Sequence, residues 1–192
     1  MGDLDVNEVI SGTIVRFVNE FLTWITWPLR GPALDLVFDR DREPYLMTSH
    51  IFNMATGVPI NARWYRVGVV NHWRSTIEEV RVTAERLTPP NLPGLPQVLH
   101  LMHDNPPPGT PFRDQFSVPH GRTPSCYVDV VSKVIGQDIF QLEHITPGVT
   151  KQFPAGRYEI VLLVRGRGTK SRQRTFILDL DNSGELRFHP RL

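Results

Sequence analysis

The most concentrated chemistry in the chain is the basic run Arg165 to Arg174, RGRGTKSRQR, which holds Arg165, Arg167, Lys170, Arg172 and Arg174 and no acid. Apolar alternation flanks the run on both sides, so it reads as a hairpin tip with Gly, Thr and Ser as turn residues. Five cations on one tip could meet the phosphates of a lipid surface or of nucleic acid. Single-strand binding would need aromatic residues between the cations, and the run has none. Nucleic acid is therefore disfavoured, and an anionic membrane surface is the sharper alternative. The plainer reading, a solvated tip that keeps a sheet edge from aggregating, takes precedence. The formal net charge of +1 supplies no global field, so any electrostatic function must be local.

His100-Leu101-Met102-His103-Asp104 is the one grouping that resembles a set of metal ligands. Residues three apart on a strand face opposite ways, so His100 and His103 would need His120 or His144 to complete a site. A metal-dependent hydrolase built on His100, His103 and His120 is therefore the last of the alternatives. Cys126 is the only cysteine, which rules out an intrachain disulfide and a Cys-rich zinc site. Downstream of Cys126 there is no His before His144 and no Met, so a blue-copper set fails. Cys126 alternates with Val128 and Val130, which predicts a buried, inert thiol. There is no G-x-S-x-G elbow and no phosphate loop. Gly166-Arg167-Gly168 is only G-x-G, and a strand follows it. These patterns predict no catalytic residue, no metal and no cofactor.

The elements that would carry these residues centre on Trp64 to Leu87, read as two strands joined by a polar turn at Asn71 to Ser75. Tyr65, Val67 and Val69 alternate on one strand and Val80, Val82 and Ala84 on the other. Further strands are predicted at 33 to 38, 98 to 103, 125 to 134, 137 to 145, 157 to 165, 173 to 181 and 185 to 188. Residues 45 to 60 fit neither strand nor helix period cleanly. The run 157 to 165 is apolar on both faces, so it should be central in its sheet or covered. Prolines between strands, as in TPPNLPGLP and DNPPPGTP, are the punctuation of an all-β chain.

Residues 5 to 27 read as an amphipathic helix. Asp5 and Glu8 have capping-box spacing, and Val6, Ile10, Ile14, Val18, Phe21 and Ile25 share a face. Glu8, Arg16 and Glu20 interrupt it too often for a membrane span. The helix is expected to pack on a sheet or on a copy of itself, through Phe21, Trp24 and Trp27. The same residues could instead sit at a membrane interface. The acidic N-terminus lacks the positive region of a signal peptide, which predicts a cytoplasmic chain, membrane association remaining open.

RVGVVN (66 to 71), EEVRVTAERL (78 to 87), CYVDVV (126 to 131) and GRYEIVLLVRG (156 to 166) together resemble immunoglobulin-like β-sandwich modules of bacterial proteins, of the CARDB or fibronectin-III-like kind. The resemblance covers about residues 60 to 181 and implies a binding or structural role. The expected architecture is mainly β: residues 1 to 32 form an amphipathic α-helix and linker, and residues 33 to 192 form an immunoglobulin-like antiparallel sandwich. The expected function is a non-enzymatic binding or scaffold module, with a protein partner or self-association.

Overall fold

The computed structural model describes residues 32–52, 58–89, 95–102, 110–146 and 152–191. The predicted N-terminal helix, with Phe21, Trp24 and Trp27, lies outside the described residues, as does His103.

Alternating apolar residues build thirteen strands: β1 (Leu34–Val37), β2 (Leu46–Phe52), β3 (Pro59–Asn71), β4 (Ile77–Thr88), β5 (Gln97–Val98), β6 (His100–Leu101), β7 (Phe116–Val118), β8 (Cys126–Val134), β9 (Ile139–Leu142), β10 (Gln152–Pro154), β11 (Gly156–Arg165), β12 (Arg172–Leu180) and β13 (Leu186–Pro190). They form two antiparallel sheets. The first runs β1-β3-β8-β9-β10, with β2 also paired to β3 and β6 to β8. The second runs β13-β12-β11-β4-β5, with β7 also paired to β4.

Two sheets make one core because each turns an apolar face to the other. Leu36, Val67, Val69 and Val128 come from the first sheet, and Val82, Ile160, Leu162, Phe176 and Phe188 from the second. Phe176 stacks on Phe188 at 4.9 Å, and Tyr65 meets Phe188 edge-on at 6.2 Å across the sheets. The Tyr65 hydroxyl donates to the Leu186 carbonyl at 2.5 Å, a second tie between the sheets.

The central expectation needs a correction. The strands of Trp64 to Leu87 exist, and the alternating residues are buried, but β3 and β4 do not pair. The turn at 72 to 76 carries the chain from one sheet to the other. Asn71 holds it: its side-chain amide donates to the carbonyls of Ser75 and Val118, each at 2.8 Å, and its Oδ1 accepts from Trp73 N–H at 2.8 Å. Alternation marks which face is buried but says nothing about which strand lies alongside.

The predicted strand from Val98 also splits. Val98 pairs with β4 in the second sheet, while His100 and Leu101 pair with β8 in the first. The ambiguous stretch from Tyr45 proves to hold a full strand, β2, along the first half of β3. The strand expected over 137 to 145 shortens to β9, and β7 and β10 are additional. β11 lies between β4 and β12, in the central position expected of it.

Candidate functional site

The basic run forms the predicted hairpin between β11 and β12. Its cations, however, face acids contributed by other strands. β4 carries an irregularity at Glu78 and Glu79, where the pairing to β7 shifts and Glu79 adopts φ 54°. There the Glu78 carbonyl and the Glu79 carboxylate meet the tip, while the Glu78 carboxylate accepts from the Ser117 hydroxyl. Arg167 N–H donates to the Glu78 carbonyl at 2.8 Å, and its guanidinium pairs with the Glu79 carboxylate. The pairing holds Glu79 below the usual carboxylate range and raises Arg167. Gly166 is required at this approach: a Cβ there would stand 2.5 Å from Ile77 Cγ2.

On the other limb, Arg172 Nε and Arg174 Nη1 lie 3.5 and 3.6 Å from Asp35 Oδ1 on β1, and Arg174 also donates to the Leu36 carbonyl. Three of the five cations are thus engaged within the fold. Arg165 and Lys170 form no ion pair among the described residues. The run itself contains no acid; the neighbouring strands supply the counter-charges.

His100 is drawn into a second cluster. Register places it opposite Asp129 on β8, and Asp129 opposite Arg66 on β3. Between Tyr65 and Arg66 the β3–β8 register shifts, with Val130 as the extra residue. The shift lets Val128, Val130 and Val131 all be buried while Asp129 stays on the Arg66 face. Asp129 Oδ1 accepts from Arg66 Nε, and Asp129 Oδ2 lies 3.3 Å from His100 Nδ1. Arg66 also reaches the Pro44 carbonyl at 3.4 Å and Met47 Sδ at 3.2 Å, tying the loop before β2 to the sheet. Phe112 packs edge-on to the His100 ring at 4.5 Å. Burial, aided by the nearby Asp129 charge, pushes the Glu143 carboxyl up; a Ser132 hydrogen bond, His100 and Arg66 oppose the shift.

The cluster orients an imidazole against a carboxylate, as an acid–base pair would require. Arg66 occupies the other oxygen of that carboxylate, which is the arrangement of a fixed structural network. Among the described residues no three His, Cys, Asp or Glu side chains come together as a metal site. Sequence reading missed Arg66, Asp129 and Glu143. The available signal was a lone charge inside each of two valine-rich runs, RVGVV and VDVV.

Cys126 is half-buried; its Sγ lies 3.5 Å from the Ser117 carbonyl, and burial pushes the thiol up. Raising a thiol pKa lowers the thiolate fraction that reacts. Among the described residues no helix is long and apolar enough to cross a membrane.

The sheet edges differ in how they are guarded. β5 and β6 have two residues each, β7 and β10 three, and β1 four, with Asp35. β13 carries Arg187 and ends in Pro190. β2 has seven residues, LMTSHIF, with no proline and no Lys, Arg, Asp or Glu. It pairs only with β3 among the described strands. No protein-family profile matches the chain, and neither a curated protein nor a solved structure is found to be similar to it.

Proposed function

We propose that the chain is an immunoglobulin-like β-sandwich module that works without catalysis, by protein–protein contact through the edge of β2. The observation that carries this reading is the length and composition of that edge. Proteins guard exposed edges with charges, prolines or short strands, because unpaired backbone groups recruit another strand. β2 alone among the described edges is long and has none of these guards. Strand addition takes its affinity from main-chain hydrogen bonds and its specificity from alternate side chains.

The occupant that fits is β2 of a second copy. A two-fold antiparallel pairing is self-complementary, and two-fold dimers are the commonest oligomers. β2 brings no fixed charge of its own to oppose such pairing. The immunoglobulin-like reading draws support from two antiparallel sheets around one core and from a chain that changes sheet at Leu99.

Light scattering of the full chain across a wide concentration range tests the proposal. A dimer is expected, with His50→Glu shifting it to monomer, since a charge on an edge blocks strand addition. A chain that stays monomeric throughout, or a His50→Glu variant that associates as the wild type does, would overturn it. Salt-reversible binding to anionic vesicles without self-association would move the contact to Arg165 and Lys170.

A further inference from the structure

One end of the core is bordered by two cations. Arg63 on β3 and Lys133 on β8 are direct register partners, on the same face as Tyr65 and Val131. Lys133 is buried, with 5% of its surface exposed, and among the described residues its Nζ hydrogen-bonds only to the adjacent Val134 carbonyl, at 3.2 Å. The Arg63 Nε is buried and has no hydrogen-bond partner among the described residues, while the Arg63 side chain also interacts with the Tyr65 hydroxyl. Neither side chain forms an ion pair among the described residues. Like charges directly opposite on a strand pair repel, and burying the Lys133 ammonium costs free energy unless it is paired. An anion between them would offset both costs.

There is room for one. A cavity of about 340 Å³ opens here, lined by Arg63, Tyr65 and Lys133, by Ile135 and Gly136 after β8, and by the turn 183 to 186. That volume lies at the small end of ligand pockets. Gly184 forms the turn beside the Lys133 ammonium at φ +78°, a backbone conformation that favours glycine.

The acids nearby are Asp138, Asp181 and Glu185. Asp181 Oδ1 accepts the backbone N–H groups of Ser183 and Glu185, both at 2.9 Å. The Glu185 carboxylate lies 3.7 Å from Arg40 and 3.6 Å from Arg187. Asp138 remains, with Oδ1 beside Gly184; it and, more weakly, Asp181 partly offset the Lys133 charge.

We propose that this cavity binds a small organic anion through its carboxylate, gripped by the Arg63 guanidinium and the Lys133 ammonium. A guanidinium presents its two terminal nitrogens as a parallel pair of N–H donors that matches the two oxygens of a carboxylate. With the Nε sealed from solvent, the terminal nitrogens of Arg63 make this contact. Ile135, 49% exposed and lining the cavity, gives the ligand an apolar surface. The site is independent of the β2 edge.

The test follows the backbone amide resonances of Ile135, Gly136 and Gly184, which line the cavity and survive every substitution below, in the full chain by NMR while sodium benzoate is added at constant ionic strength, with inorganic phosphate in parallel. A saturable benzoate shift is expected. Arg63→Gln and Lys133→Met should each weaken it about 10- to 100-fold, the loss of one charged hydrogen bond. Asp138→Asn, a surface change that leaves the strands intact, should tighten it. The proposal is overturned if neither anion gives a saturable shift, or if both single variants bind as the wild type does. Saturation by phosphate alone would overturn the carboxylate assignment.

Discussion

Replacing Asp129 with Asn should be among the most damaging single changes in the described part of the chain. The Arg66 and Asp129 side chains are each only 7% exposed, so the pair is almost wholly out of water. Removing one member of such a pair leaves an uncompensated buried charge, a loss of about 3–5 kcal/mol. Arg66 would keep neutral acceptors: the amide oxygen that replaces the carboxylate, the Pro44 carbonyl and Met47 Sδ. For a domain of this size each kcal/mol lowers Tm by about 2–4 °C, so Asp129→Asn should lower it by roughly 6–20 °C. The double variant Arg66→Met, Asp129→Leu removes both charges and should recover most of that loss. Thermal denaturation followed by circular dichroism, with Arg66→Met and Asp129→Leu also made singly to close a double-mutant cycle, measures both effects. An Asp129→Asn cost below about 1 kcal/mol, or a double variant as unstable as the sum of the singles, would refute the reasoning.

Three further outcomes follow from the same geometry. Gly166→Ala should destabilise by about 1–3 kcal/mol, because the new Cβ meets Ile77 Cγ2 at 2.5 Å; chemical denaturation at unchanged m-value checks it. Glu143 has a folded-state pKa above its unfolded value, so its neutral form favours folding. That contribution is complete below the ordinary carboxylate pKa near 4.3 and is lost as pH rises through the raised value. Glu143→Gln should therefore match the wild-type Tm near pH 4 and exceed it at neutral pH; a constant difference across that range would contradict the assignment. Cys126 should react with iodoacetamide at pH 8 several-fold more slowly than an unfolded control, since burial raises its thiol.

What could be read in the sequence was the set of buried faces. Tyr65, Val67 and Val69, with Val80, Val82 and Ala84, are all in the core, as strict alternation requires. Which strands pair was not readable, because alternation is the same whether a strand meets its neighbour in sequence or one sixty residues away. That is why β3 and β4 looked like partners and proved to lie in different sheets. β2 was obscured because Leu46, Met47 and Ile51 do not keep one parity, and β7 and β10 are too short to show a period.

The candidate sites divide in the same way. The basic hairpin was evident from five cations in one run, but its partners Glu79 and Asp35 lie far off in sequence and were not. The Arg66–Asp129–His100 cluster and the Arg63–Lys133 pair are created by strand register alone. A lone charge in each valine-rich run was the available signal for Arg66 and Asp129, but nothing local says which charge faces which.

The central claim is that β2 is an edge that recruits another strand. Hydrogen exchange of the β2 backbone amides, measured at low and high protein concentration, tests it most directly, because strand addition protects N–H groups that otherwise face water. The account predicts that those β2 amides not bonded to β3 gain protection as concentration rises, while amides of β12, paired on both sides, do not change. Protection in β2 that is identical at every concentration would contradict it.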